Sequence, residues 1–275
     1  MKSIKYKNLI IIILLMTLMM NGCDNKENIE FTDWPIIEAY LHDGYSFGLK
    51  VSRQVPFLED APYSEDDIDN LPITVSFNDS NYILRPMGDG AYADTLLPLV
   101  EHASYTLTMM FNSKEVTAYT YIPAKPEAYA QSATSISIAR MDSTSTPISG
   151  GMDMPDPIDM TWENSDDSYY LLVIENIEDT LDPIRDFGDE DPPENIFRKQ
   201  PTTSTSERVG PMEFQYYGTH RLILYHVLPD YAALYEESSN SSQSLENPST
   251  SISNGYGIFT GLNSDTLFVE VTEAK

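Results

Sequence analysis

A single cysteine, Cys23, four histidines and two dense acidic runs are the residues here with chemistry to offer. Cys23 has no second thiol to pair with, so an intramolecular disulfide is excluded and its sulfur is free for another bond. The histidines are His42, His102, His220 and His226. His220 and His226 lie six positions apart; on one strand they would share a face but sit about 20 Å apart, too far for one metal ion. They read as ordinary surface or edge histidines. The runs Glu65-Asp66-Asp67-Ile68-Asp69 and Asp186-Phe187-Gly188-Asp189-Glu190-Asp191 carry the oxygen ligands that calcium prefers, without the spacing of a helix–loop–helix calcium loop. They read as solvated loops. No His-Glu-x-x-His pair, nucleophile elbow or phosphate loop occurs. With 43 acidic residues a carboxylate pair is always available, and its presence argues for nothing. The sequence therefore predicts no catalytic residue, no metal and no cofactor. One pointed stretch remains, Asn254-Gly255-Tyr256-Gly257-Ile258-Phe259. Its glycines permit a tight backbone path, and Asn254, Gly255, Tyr256 and Phe259 are the candidate contacts for a ligand or partner. The competing reading is a turn into a final strand, with Phe259 in the core.

The role of Cys23 follows from what precedes it. Lys2, Lys5 and Lys7 stand ahead of an apolar run from Leu9 to Met20. That run is about a dozen residues, where a spanning helix needs roughly 20. A basic flank and a short apolar core read as an export signal. The sequence Met20-Asn21-Gly22-Cys23 resembles a bacterial lipobox, with Met20 and Asn21 in place of the usual Leu and Ala or Ser. Such a site implies cleavage before Cys23 and a diacylglycerol on its thiol. Each lipid methylene buried contributes about 0.8 kcal/mol, so two or more chains tether firmly. Residues 1–22 are thus expected as a signal peptide. Residues 23–33, opening with Asp24-Asn25-Lys26-Glu27, are expected as a polar tether.

Removal of residues 1–22 from the 275 would leave 253, room for one large or two small domains. Sixteen basic against 43 acidic residues give a formal charge of −27, and −30 once the three lysines of the signal are gone. That charge repels phosphate backbones and excludes nucleic acid as a partner. It favours solubility, or a cationic ligand. Apolar content of 41% with 18 Tyr and 10 Phe supplies folded cores rather than disorder.

Period-two alternation recurs along the chain. It marks strands at 34–41, 46–55, at Ile73, Val75 and Phe77, at Tyr105, Leu107 and Met109, and at 116–122. Turn signals fall at 78–81, 88–90 and 112–114. Residues 34–123 read as a β-sandwich ended by Pro123, and 124–133 as a linker. From 134 to 275 the pattern resumes. Ile158, Met160 and Trp162 share a face, Tyr169–Ile174 is apolar on both faces and reads as a central strand, and strand character returns at 214–228, 258–259 and 267–271. Residues 229–236 suit a short helix, with Pro229 at the start and Asp230 in the first turn. Residues 59–69, 144–157 and 238–253 read as loops, and 175–201 as a long acidic, proline-containing segment. The fold class predicted is all-β: two tandem β-sandwich modules, immunoglobulin-like or fibronectin-III-like, with one short helix in the second.

Several of these segments together resemble a Bacteroidota outer-membrane lipoprotein family catalogued as domain of unknown function 4249. They are the lipobox, Trp34–Leu41, Val51–Phe57, Tyr105–Thr108, Thr120–Pro123, the Asn247-Pro248 pair and Ser253–Phe259. The likeness covers nearly all of the chain after Cys23. It implies a surface lipoprotein anchored in the outer membrane through Cys23, on its periplasmic or external face, serving nutrient uptake beside a TonB-dependent transporter. It carries over no catalytic residue. The competing readings are a structural or adhesive cell-surface protein and an exported hydrolase. Cys23→Ser is expected to abolish metabolic labelling with a fatty acid and to release the chain from the membrane fraction; a fully labelled variant would remove lipidation at this position.

Overall fold

Alternating apolar and polar residues organise the chain from Pro35 onward. The computed structural model describes residues 33–54, 66–141, 154–188, 191–239 and 250–274. Strands β1 (Pro35–His42) and β2 (Phe47–Arg53) bury Ile37, Ala39, Leu41, Phe47, Leu49 and Val51 and turn Glu38 and Lys50 to solvent. A one-turn helix, α1 (Asp66–Asp69), precedes β3 (Thr74–Phe77), β4 (Ser80–Ile83), β5 (Arg85–Gly88) and β6 (Ala91–Asp94). The next pair, β7 (Ser104–Phe111) and β8 (Lys114–Tyr121), forms a hairpin through Asn112 and Ser113. Both turn residues have positive φ, 46° and 64°, which matches a tight hairpin to the strand twist. Helix α1 corrects one expectation. The acidic run at 59–69 does not end as a solvated loop, because Ile68 within it is only 2% exposed. The buried Tyr92 hydroxyl donates to the Ile68 carbonyl and accepts from the Leu71 N–H at 2.9 Å, which fixes the segment to the core.

The second half contains β9 (Glu127–Gln131), β10 (Ser135–Ile138), β11 (Ile158–Glu163), β12 (Tyr169–Asn176), β13 (Asp182–Pro183), β14 (Ile196–Arg198), β15 (Ser206–Val209) and β16 (Tyr216–Val227). Helix α2 (Pro229–Ser239) then leads to β17 (Ile252–Ser253) and β18 (Tyr256–Glu273). Three segments expected to be irregular supply strands. The linker at 124–133 contains β9, paired with β11, the acidic stretch at 175–201 contains β14, paired with β12, and the end of the polar loop at 238–253 contains β17, paired with β8.

The chain is all-β, built as sandwiches. Five strands in the order β17-β8-β7-β3-β4 cover one part of a ten-stranded sheet, and three in the order β15-β11-β9 cover another. The large sheet runs β14-β12-β16-β18-β1-β2-β6-β5, with β10 also on β18 and β13 also on β16. The first core packs Ile37, Val51, Tyr92, Tyr105, Leu107 and Ile122 with Ile252 and Phe259 from the far end of the chain. The second gathers Met160, Trp162, Tyr170, Leu172, Leu222 and Val269. Two sandwich modules share one sheet, and the first is completed by β17 and the first half of β18 from the end of the chain. The strand that joins them is β18. Its first half pairs in parallel with β1, from Ile36 opposite Tyr256 to His42 opposite Leu262. Its second half pairs antiparallel with β16, from Val227 opposite Leu262 to Gly218 opposite Val271.

Two glycines let other backbone approach this strand. At Gly257, φ is +96°, and a Cβ there would collide with the Ile37 carbonyl. At Gly261 a Cβ would collide with the Tyr121 carbonyl. Positive φ alone costs a non-glycine residue about 1–3 kcal/mol. Gly257→Ala is therefore expected to lower the unfolding free energy by at least about 1–3 kcal/mol in urea titration, before any cost of the collision.

Candidate functional site

Strand β12 is apolar on both faces, and the two faces meet different partners. Tyr170, Leu172 and Ile174 enter the second core; Leu171 and Val173, which point the opposite way, join Ile223 and Val227 in a separate cluster. That cluster is the floor of a groove on the side of the large sheet turned away from the core. Its rows follow the strand register. Arg198, Val173 and Ile223 lie side by side on β14, β12 and β16; Ile196, Glu175 and Arg221 form the next row. On the other side Leu171 stands beside Tyr225 and Ser264, and beyond them Val227, Leu262 and His42 line up from β16 to β1. Tyr40 and His42 of β1, Tyr45 of the turn after it and Tyr231 of α2 raise the walls around a cavity of about 320 Å³.

The walls are held by ring contacts. His42 meets Tyr45 edge-on at 4.3 Å and Tyr225 at 6.4 Å. Opposite them Tyr40 meets Tyr231 edge-on at 5.9 Å, and Tyr231 meets Tyr235, one helical turn on, at 5.9 Å. His42 is fixed by two hydrogen bonds. Its Nδ1–H donates to the Asp43 carbonyl at 3.0 Å, so in the neutral ring Nε2 accepts from the Ser264 hydroxyl at 2.9 Å. Burial, the Glu38 charge and a 3.1 Å hydrogen bond to Glu38 push the Tyr40 hydroxyl up to about 12. Burial and the adjacent Tyr45 raise the Tyr225 hydroxyl, and burial and Tyr235 raise that of Tyr231. All three stay protonated at neutral pH; Tyr40 gives its proton to Glu38 and Tyr231 bonds with Tyr235, so Tyr225 is the one of the three that can donate into the cavity. Glu175 is held by the Arg221 guanidinium at 2.5 Å. The arrangement suits binding: an aliphatic floor, aromatic walls and a few polar groups at the rim.

The residues singled out from the sequence lie elsewhere. Phe259 is 0% exposed and packs edge-on to Phe47 at 6.5 Å in the first core, so it contacts no ligand. Gly255 is buried, with Pro35, Val116 and Ile252 around the position of a side chain. Asn254 sits at φ 57°, and its side-chain amide donates to the Glu115 carbonyl at 2.8 Å. Tyr256 pairs with Ile36 at the start of β18. This stretch is a turn that seats the shared strand, and the candidate contacts at Gly255 and Phe259 are withdrawn. Cys23 lies outside the described residues, as does part of each acidic run. Among the described residues no three His, Cys, Asp or Glu side chains converge to hold a metal.

His220 and His226 are not surface or edge residues. Both sit on central strand β16, 2% and 8% exposed. His220 donates from Nδ1 to the Gly218 carbonyl at 3.0 Å and takes the Asn176 amide on Nε2 at 3.3 Å. His226 donates from Nδ1 to the Ala124 carbonyl at 2.8 Å and stacks on Tyr170 at 4.8 Å. Hydrogen bonds that suit the neutral ring are what the alternation pattern could not register.

No family model and no curated protein matches the chain. Among solved structures it is similar to domains A168-A170 from titin, at 10% identity and a TM-score of 0.20. The match covers 70% of this chain, which spans 60% of that one. The site is read from its own geometry.

Burial lowers the proton affinity of both His220 and His226 below the ordinary 6.5. The unfolded chain therefore binds protons at these rings more readily than the folded one. Their contribution is complete above about pH 6.5 and is lost as pH falls from there through the depressed folded values. The urea midpoint is expected to drop across this window, and His220→Gln is expected to flatten the drop. An unchanged slope in that variant would remove His220 from the account.

Proposed function

We propose that this chain is a lipid-tethered binding protein that captures a small ligand in the groove between β1, β12, β16 and α2, and works beside a TonB-dependent transporter. The observation that carries the binding part is the groove itself. Its aliphatic floor is walled by Tyr40, Tyr45, Tyr225, Tyr231 and His42. Leu171, Val173, Ile223 and Val227 are buried among Tyr225, Tyr231, Tyr235 and Leu262, and a cavity remains beside them. The tether rests on the sequence around Cys23, and the transporter on the family resemblance. The reading is of a non-catalytic protein: among the described residues of the groove, the carboxylate of Glu175 is engaged by Arg221 and the imidazole of His42 has both nitrogens hydrogen-bonded.

A structural or adhesive surface role is the second reading. It draws on the outer face of the five-stranded sheet, where Tyr119 and Tyr121 stand 62% and 43% exposed beside Thr106 and Ser104.

The test is a pull-down of the tagged full chain from gently solubilised outer membrane, read by mass spectrometry. Stoichiometric recovery of a TonB-dependent barrel is the expected result. Recovery of the chain alone would remove the transporter from the proposal.

A further inference from the structure

We propose that the groove takes an amphipathic monocarboxylate, with a single-ring or branched apolar body on the floor and its carboxylate on Arg198. This rests on the reading of the groove as a ligand site and narrows it to a chemical class. Three observations converge on it.

The first is the floor. Leu171, Val173, Ile223 and Val227 are buried aliphatics, flanked by Ile196 and Leu262, and they present no hydrogen-bonding group. A hydroxyl-rich ligand laid on this surface would lose its water and gain no partner there, a cost of about 1–3 kcal/mol for each group left unmade. An apolar body loses nothing. The cavity of about 320 Å³ is at the small end of ligand sites. One ring or a branched chain fills it.

The second is the state of Arg198. It stands directly across from Val173 on the edge strand β14, so its guanidinium borders the floor. Acidic residues outnumber basic ones 43 to 16, and Arg140, Arg208, Arg221, Lys125 and Lys199 each hold a carboxylate. Among the described residues Arg198 holds none, as is true of Arg85 and Arg185, but of these three Arg198 is the one that lines the groove. Glu175, the carboxylate of the adjoining row, is taken by Arg221 instead. A guanidinium left uncompensated amid surplus carboxylates is available to an external one, which it binds through two parallel N–H donors.

The third is the rest of the rim. Tyr225 stands beside Leu171 in the strand register and lines the same groove as Arg198, and its hydroxyl, raised by burial, remains protonated and can donate to an anionic head. One cation and one donor in the same groove suit one anionic head. A polyanion would meet the net charge of −27, against a single positive group in the groove. The acidic chain as a whole thus favours cations, while the groove inverts that preference locally and for one charge only.

The experiment is isothermal titration of the chain at pH 7 with three probes: 3-phenylpropionate, its neutral amide 3-phenylpropionamide, and the disaccharide cellobiose. Arg198→Gln and Tyr225→Ala are titrated in parallel, and circular dichroism and urea unfolding establish that each is folded. The carboxylate is expected to bind about tenfold or more tightly than the amide, consistent with a charge-assisted hydrogen bond. Arg198→Gln is expected to erase that difference, and Tyr225→Ala to weaken both ligands. Equal binding of carboxylate and amide, or a carboxylate preference that survives Arg198→Gln, would overturn the assignment of the anion to Arg198. Binding of cellobiose in preference to the phenyl compounds, sensitive to Tyr225→Ala, would overturn the ligand class and leave the groove as a binding site. Binding of no probe would remove both.

Discussion

The backbone ladder of β18 is the interaction on which the remainder of the structure depends. This strand takes β1 in parallel along its first half and β16 antiparallel along its second, with Leu262 paired to both His42 and Val227 at the crossing point. Either sandwich without it would lose a neighbour of its large sheet. Buried polar side chains hold the crossing in place. The Asn263 amide donates to the Pro123 carbonyl at 3.1 Å, Thr120 accepts the Gly261 N–H at 2.9 Å, and the Thr260 hydroxyl donates to Asp230 at 2.9 Å. Each would be costly if left unpaired inside the fold, and each is satisfied by a different element, so the pieces fit in one register only. The passage from one sandwich to the other at Pro123 and Ala124 is pinned by Asn263 and His226.

The groove is a by-product of that junction. β1 and β16 are distant in sequence, and only the shared strand brings His42 and Tyr40 alongside Tyr225 and Val227. Helix α2 begins two residues after β16 ends, and its Tyr231 and Tyr235 fall on one helical face over the floor. The second core needed one apolar face of β12 and β16; the other face of the same strands was available for a site.

Period and turn chemistry made most of the architecture legible. The β7–β8 hairpin, the two-faced strand β12, Trp162 in a core and a helix after Pro229 follow directly from residue patterns. Strand β14 was hidden because three residues inside an acidic, proline-rich stretch are too few for alternation to register. Ile68 was hidden by the acids around it. The groove was harder still. Its tyrosines are spread over β1, the following turn, β16 and α2, and no local pattern links them. The one available sign was that β12 is apolar on its second face, which requires either a covering layer or a ligand. The glycines at 255 and 257 drew attention to the wrong place, because close backbone approach in a sheet calls for the same residue as close approach to a ligand.

A chain whose first strand pairs with its last carries a kinetic burden. Ile252 and Phe259 complete a core otherwise built from residues 37–122, so a polypeptide emerging from its N-terminus must hold that half-finished sandwich open until the final stretch arrives. Contacts of such sequence separation form late and slowly, and apolar strand edges stay bare in the interval. Loss of the last strands would therefore remove Ile252 and Phe259 from a core at the opposite end of the sequence.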